Sequence, residues 1–154
     1  MKLKALLIAA TLLLSGSAAA QQFGFWESQP ERQMISTHTQ FEDGSQSQAV
    51  IHLDGTVGIA AYPAGWDIDD TRYTERNWKA NISVNGQAVK YNFTRTANGG
   101  IHGYAATYKG AEYVRNEFWN KSRVVFKFGD KATGSFSAKG VQAAWQHLKS
   151  NQAI

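Results

Sequence analysis

Apolar and polar residues alternate with a period of two along most of this chain, the pattern of strands with one buried face. It is clearest at residues 123–128, where Val124, Phe126 and Phe128 share one face and Arg123 and Lys127 point the other way. The Gly-rich run 129–134 is turn chemistry, and Phe136 and Ala138 resume the alternation over 135–139 until Gly140 breaks it. Beyond Gly140 the period changes. Val141, Ala144, Trp145 and Leu148 fall at i, i+3, i+4 and i+7, an apolar helical stripe with Gln142, Gln146 and Lys149 off it. The pattern predicts strand, turn, strand and a closing amphipathic helix that needs the sheet as its partner.

Two dipeptides predict hairpins. Asn85-Gly86 lies between apolar alternations at 79–84 and 87–95. A two-residue loop there sets Val84 opposite Gln87, Ile82 opposite Val89 and Ala80 opposite Tyr91, so the apolar sides of both arms meet on one face, which Phe93 continues. Asp54-Gly55 predicts a type I′ hairpin between 49–53 and 56–62, apolar enough on both faces to be covered on both sides. Upstream, Phe23 and Phe25 on one side and Trp26 on the other predict an entering strand within 21–32. A weaker strand at 34–41 closes at the turn 42–45. Downstream, residues 101–107 read as a short strand weakened by Gly103, and 110–119 as a helix with Ala111, Val114 and Phe118 on one face. Pro63-Ala64-Gly65-Trp66 ends the second hairpin, and an acidic connection runs on to about Arg76. The fold class expected is mainly β: an antiparallel β-sandwich-like domain with one or two short helices, including a C-terminal amphipathic helix.

The first twenty residues follow a different logic. Met1-Lys2-Leu3-Lys4 is a basic start, residues 5–14 are apolar, and Ala18-Ala19-Ala20 supplies small residues for a signal peptidase. Residues 1–20 are therefore expected to be a signal peptide, too short in its apolar run to remain as an anchor, and 21–154 a single β-rich domain that is periplasmic or secreted. The chain contains no cysteine, which excludes a disulfide framework and a thiolate zinc site, so packing alone must hold it. Charge is unevenly placed. Residues 21–70 carry one base and eight acids, and residues 71–154 carry thirteen bases and four acids, a balance of −7 against +9. Such a divide either pairs surfaces within the fold or between subunits of a homo-oligomer, or leaves a basic face for an anionic partner. Nucleic acid is not the expected partner of an exported chain.

The order of these features is a hairpin ending in Pro63-Ala64-Gly65-Trp66, the Ile82-Ser83-Val84-Asn85-Gly86 hairpin and the Gly99-Gly100 turn. A helix, the strand 123–128 and Phe136-Ser137-Ala138-Lys139-Gly140 before the last helix complete it. This order resembles the invasion-associated locus B family of small exported proteobacterial proteins, over roughly residues 26–148. The cysteines that accompany the family's pattern are absent here. The resemblance implies a β-sandwich-like envelope protein without a recognised active site, and it carries no functional residue over to this chain.

Candidate chemistry is sparse. His38, His52, His102 and His147 show no metal-ligand spacing, and no serine sits in a G-x-S-x-G elbow. Asp67, Asp69 and Asp70 offer hard oxygens, but without the Gly and distal Glu of a calcium loop they read as a solvated acidic turn. Neither metal nor cofactor is expected. Trp66, Tyr73 and Trp78 surround those aspartates where strand alternation explains aromatics least, so Trp66, Asp67, Asp69, Asp70, Tyr73 and Trp78 form the candidate binding site, a platform for a glycan or a protein. The plainer account is that these rings cap one end of the sandwich. The function expected is that of an exported, non-catalytic binding protein of the bacterial envelope that recognises a protein or an envelope component. Two alternatives stand beside it: a periplasmic inhibitor or immunity protein against a toxin or lysozyme-like enzyme, and a hydrolase using carboxylates within residues 66–75, whose activity Asp67, Asp69 and Asp70 changed to Asn should abolish.

Overall fold

Ten strands join into one antiparallel sheet in the computed structural model, which describes residues 19–130 and 132–152. Residues 1–18, most of the expected signal peptide, lie outside the described residues. In chain order the strands are β1 (Gln21–Phe23), β2 (Trp26–Gln29), β3 (Met34–Gln40), β4 (Gln46–His52), β5 (Val57–Tyr62), β6 (Arg76–Val84), β7 (Gln87–Arg95), β8 (Ile101–Ala105), β9 (Arg123–Phe128) and β10 (Ala132–Ser137). Helix α1 (Tyr108–Asn120) separates β8 from β9, and helix α2 (Val141–Ser150) follows β10. The spatial order is β1-β2-β3-β4-β5-β8-β7-β6-β9-β10. The mainly β, antiparallel class with two helices, one of them C-terminal, is thus the observed one. Its facing layers come from a single sheet that curls over itself.

Local sequence accounts for most of these elements. Asn85 and Gly86 both take positive φ, 46° and 85°, as a type I′ turn requires, and the pairs Val84↔Gln87, Ile82↔Val89 and Ala80↔Tyr91 follow. Thr107 caps α1 by accepting a hydrogen bond from the Gly110 N–H at 3.0 Å, and Ala111, Val114 and Phe118 are its buried face. In α2, Val141, Ala144 and Leu148 are buried.

Four local expectations shift. The Asp54-Gly55 loop is longer than type I′. Ile51 pairs with Val57, the His52 N–H donates to the Thr56 carbonyl, and of the two loop residues only Gly55 has positive φ, so this is a wider turn with Gly in the left-handed position. The entering strand breaks at Gly24 and Phe25 into β1 and β2, which pair with each other. Strand β6 starts at Arg76 rather than 79, and β10 starts at Ala132, inside the run read as a turn.

The curl is closed by contacts between the two ends of the sheet. The Trp26 indole N–H donates to the Ser137 carbonyl at 2.9 Å, the Phe25 N–H to Lys139 at 3.0 Å, and the Glu42 N–H to Thr133 at 3.3 Å. Phe41 lies on Gly134, where a Cβ would overlap its ring. Gly140, at φ 95°, lets the Phe23 carbonyl approach the start of α2 more closely than any side chain would permit. Inside the curl, Trp26 meets Phe118 edge-on at 5.0 Å, and Phe126 meets Phe136 at 5.4 Å. Helix α1 covers the concave face near the Val84 end of β6, where the Tyr113 hydroxyl donates to the Val84 carbonyl at 3.0 Å. Helix α2 lies against β1, β2 and β3.

Trp26→Phe removes the indole donor and leaves the Ser137 carbonyl short of a partner, and Gly134→Ala forces Phe41 aside. Each is expected to lower stability by about 1–3 kcal/mol in urea unfolding. In the tight turns, the Asp43 carboxylate accepts from the Ser45 hydroxyl and N–H, and Asp54 from the Thr56 N–H at 2.9 Å; these bonds hold both carboxyls below the ordinary value of 3.8. A depressed carboxyl contributes stability above its ordinary value and loses it as pH falls through the folded value. The double variant Asp43→Ala/Asp54→Ala should therefore show a shallower loss of stability than the parent as pH is lowered from ~4, measured by urea midpoints across that range.

Candidate binding cleft

Strand β6 is paired unevenly. All nine of its residues pair with β7, but on its other side only Ser83 and Val84 pair with β9, opposite Lys127 and Phe126. Strand β9 ends at Phe128, and β10 turns away to lie over β3. The sheet is therefore split between the first part of β6 and the β9–β10 hairpin, at the end of the strands that α1 does not cover.

A cavity of about 490 Å³ occupies this split. Strand alternation sends Trp78, Ala80 and Ile82 of β6, Phe93 of β7 and Ile101 of β8 to its inner wall. Phe128, at the end of β9, and Phe41, beyond the end of β3, line it as well. Trp78 stacks on Phe93 at 5.3 Å and 19°, and Phe41 leans on Phe128 at 5.4 Å. The rim is polar: Arg76, whose guanidinium lies 4.6 Å over the Trp78 ring, with Asp43, Ser45 and Asn81. Behind Phe93, Tyr91 is fully buried, burial pushes its phenol up, and its hydroxyl has no partner among the described residues. An apolar chamber with a mixed-charge rim can take up apolar groups and orient what they are attached to. At the rim the Ser45 hydroxyl donates to the Asp43 carboxylate at 2.5 Å, and the four rim residues include no histidine.

Of the six candidate residues, only Trp78 lines this cavity. Trp66 packs on Tyr62 at 4.6 Å and remains partly exposed, next to the exposed Ile68. Asp67 accepts from the Asp69 N–H at 2.9 Å, an internal turn of the loop. Asp70 is paired with Arg72, whose guanidinium reaches it at 2.6 Å; those hydrogen bonds hold the Asp70 carboxyl low. Tyr73 lies over Gly99, with the Arg95 guanidinium 6.0 Å from its ring. Trp66, Tyr73 and Trp78 share no ring contact and form no common platform. Trp78 was nonetheless within reach of sequence reasoning: carrying the Asn85-Gly86 register past Ala80↔Tyr91 gives Trp78↔Phe93. The partnership of Phe41 with Phe128 left no such signal, because it spans the closure of the sheet.

One pair with a catalytic look comes together across the fold. The Ser28 hydroxyl and His147 Nδ1 are 2.9 Å apart, 119 residues distant in the chain. Ser28 has no exposed surface, and the Phe23 ring packs on His147 at 5.3 Å, so no substrate reaches the hydroxyl and the pair fastens α2 to β2. Among the described residues no three His, Asp or Glu side chains gather as a metal site, and no helix is long and apolar enough to cross a membrane.

No protein-family model, curated protein or solved structure matches this chain. The cleft itself carries the functional reading. Ala80 stands on its inner wall with room in front of it, so Ala80→Phe should fill the cavity at little cost in stability. Binding of the apolar dye anilinonaphthalene sulfonate, followed by fluorescence, is expected to weaken roughly tenfold in that variant. The exposed Tyr108→Ala on α1 should leave it unchanged.

Proposed function

We propose that this chain is an exported, non-catalytic binding protein of the bacterial envelope, and that it recognises a protein or an envelope component through the split between β6 and β9. The observation that carries the reading is the open apolar cavity, lined by Trp78, Phe93, Ile101 and Phe128 and rimmed by Arg76 and Asp43. A sheet that curls this far ordinarily fills its concave face, and here one end stays unfilled and reaches solvent. The basic, apolar and small-residue segments of residues 1–20 support export, as does the resemblance to the invasion-associated locus B family.

Two measurements test the reading. Protein expressed with residues 1–20 should be recovered from the periplasm or medium with Gln21 as its first residue. Residues 21–154 should be retained on isolated envelopes, with retention lost in Ala80→Phe and kept in Tyr108→Ala. Hydrolysis of peptidoglycan, peptide or ester substrates that a single substitution abolishes would sink the proposal, as would retention indifferent to Ala80→Phe.

A further inference from the structure

The wall of the cleft is also a bare strand edge. The Asn85 N–H donates to the Val125 carbonyl at 2.9 Å, and Ser83 pairs with Lys127, so the odd-numbered residues of β6 direct their backbone groups toward β9. Past Ser83 that strand is gone. The backbone N–H and C=O groups of Asn77, Lys79 and Asn81 therefore face the split with no backbone partner among the described residues. All three residues are exposed, whereas Trp78 and Ala80, between them, turn their side chains into the cavity.

From this geometry we infer that the cleft binds an extended segment of a partner protein by strand addition to β6, with apolar side chains of that segment entering the cavity at every second position. The inference rests on the cleft being the binding site and names the kind of partner it takes. Backbone pairing along 76–81 supplies affinity, and the Trp78–Phe93–Phe128 chamber selects the side chains. The charge of the edge selects the rest. Arg76 and Lys79 on β6 and Lys127 on β9 make no ion pair among the described residues; Glu75 precedes Arg76, Asp43 shares the cavity rim and Asp130 follows β9 in its turn. Side chains of an added strand that point away from the cavity lie beside Lys79, so acidic residues at those positions fit. A second copy of the chain fits poorly, because antiparallel pairing centred on the bare stretch sets Lys79 against itself, the usual defence of an exposed edge.

A fluorescein-labelled synthetic peptide alternating Glu and Val, read by fluorescence anisotropy on residues 21–154, tests this. Binding is expected to weaken about tenfold when two edge-facing peptide amides are N-methylated, and again when its Glu residues become Lys. On the protein side, Asn81→Pro removes an edge donor without touching the β7 ladder or the charge, and Lys79→Glu reverses the local charge; both should weaken the peptide by a similar factor. Circular dichroism and the dye-binding assay on each variant report whether fold and cavity survive. Dye binding and envelope retention with a peptide indifferent to N-methylation would overturn strand addition and leave the cavity reading standing. Loss of dye and envelope binding together would remove the cavity reading. A dimer in sedimentation that Asn81→Pro dissolves would assign the edge to self-association instead and overturn the partner named here.

Discussion

The structure depends on bringing the two ends of a ten-stranded sheet together. A sheet with one apolar face must bury that face, and with no disulfide available the closure falls to packing and a few hydrogen bonds. Trp26 is central to it. Its indole reaches across to the Ser137 carbonyl while its ring lies edge-on to Phe118, so one side chain joins β2, β10 and α1. The glycines at 134 and 140 make the approach possible by leaving room for Phe41 and for the Phe23 carbonyl. Filling either position would push the two ends apart.

The same closure creates the cleft. Pulling the β9–β10 hairpin over β3 takes it away from β6, so pairing there stops after two residues and the backbone beyond is left bare. Helix α1 fills the concave face only near the other end of the strands. An unfilled apolar chamber and an unpaired strand edge are thus two consequences of one geometric event, and they stand side by side. That adjacency is what suits the site to an extended chain more than to a compact ligand.

Charge follows the topology closely. Strands β1 to β5 come from the acidic first part of the chain and lie next to one another, and β6 to β10 come from the basic second part, with β5 against β8 as the seam. The described residues contain one ion pair, Arg72 with Asp70, which links the last residue of the acidic part to the start of the basic one within a single loop and joins no two strands. The bare edge of β6 belongs to the basic part, and Asp43 of the acidic part stands on the rim of the same cleft.

How much was legible follows from the range of each interaction. The sequence by itself determined the mainly β class, the Asn85-Gly86 hairpin and its register, and α1 and α2 with their buried faces. Each of these rests on alternation, turn chemistry or helical spacing within about twenty residues. Tertiary structure decided the rest: the curl, the contact of Phe41 with Phe128, the burial of Ser28 under His147, and the end of the β6–β9 pairing. It also parted the candidate residues, leaving Trp66, Asp67, Asp69, Asp70 and Tyr73 in the loop and sending Trp78 alone into the cavity. Those outcomes depend on which strand lies beside which after the sheet closes. Period and composition are properties of one segment and carry no record of its distant neighbour.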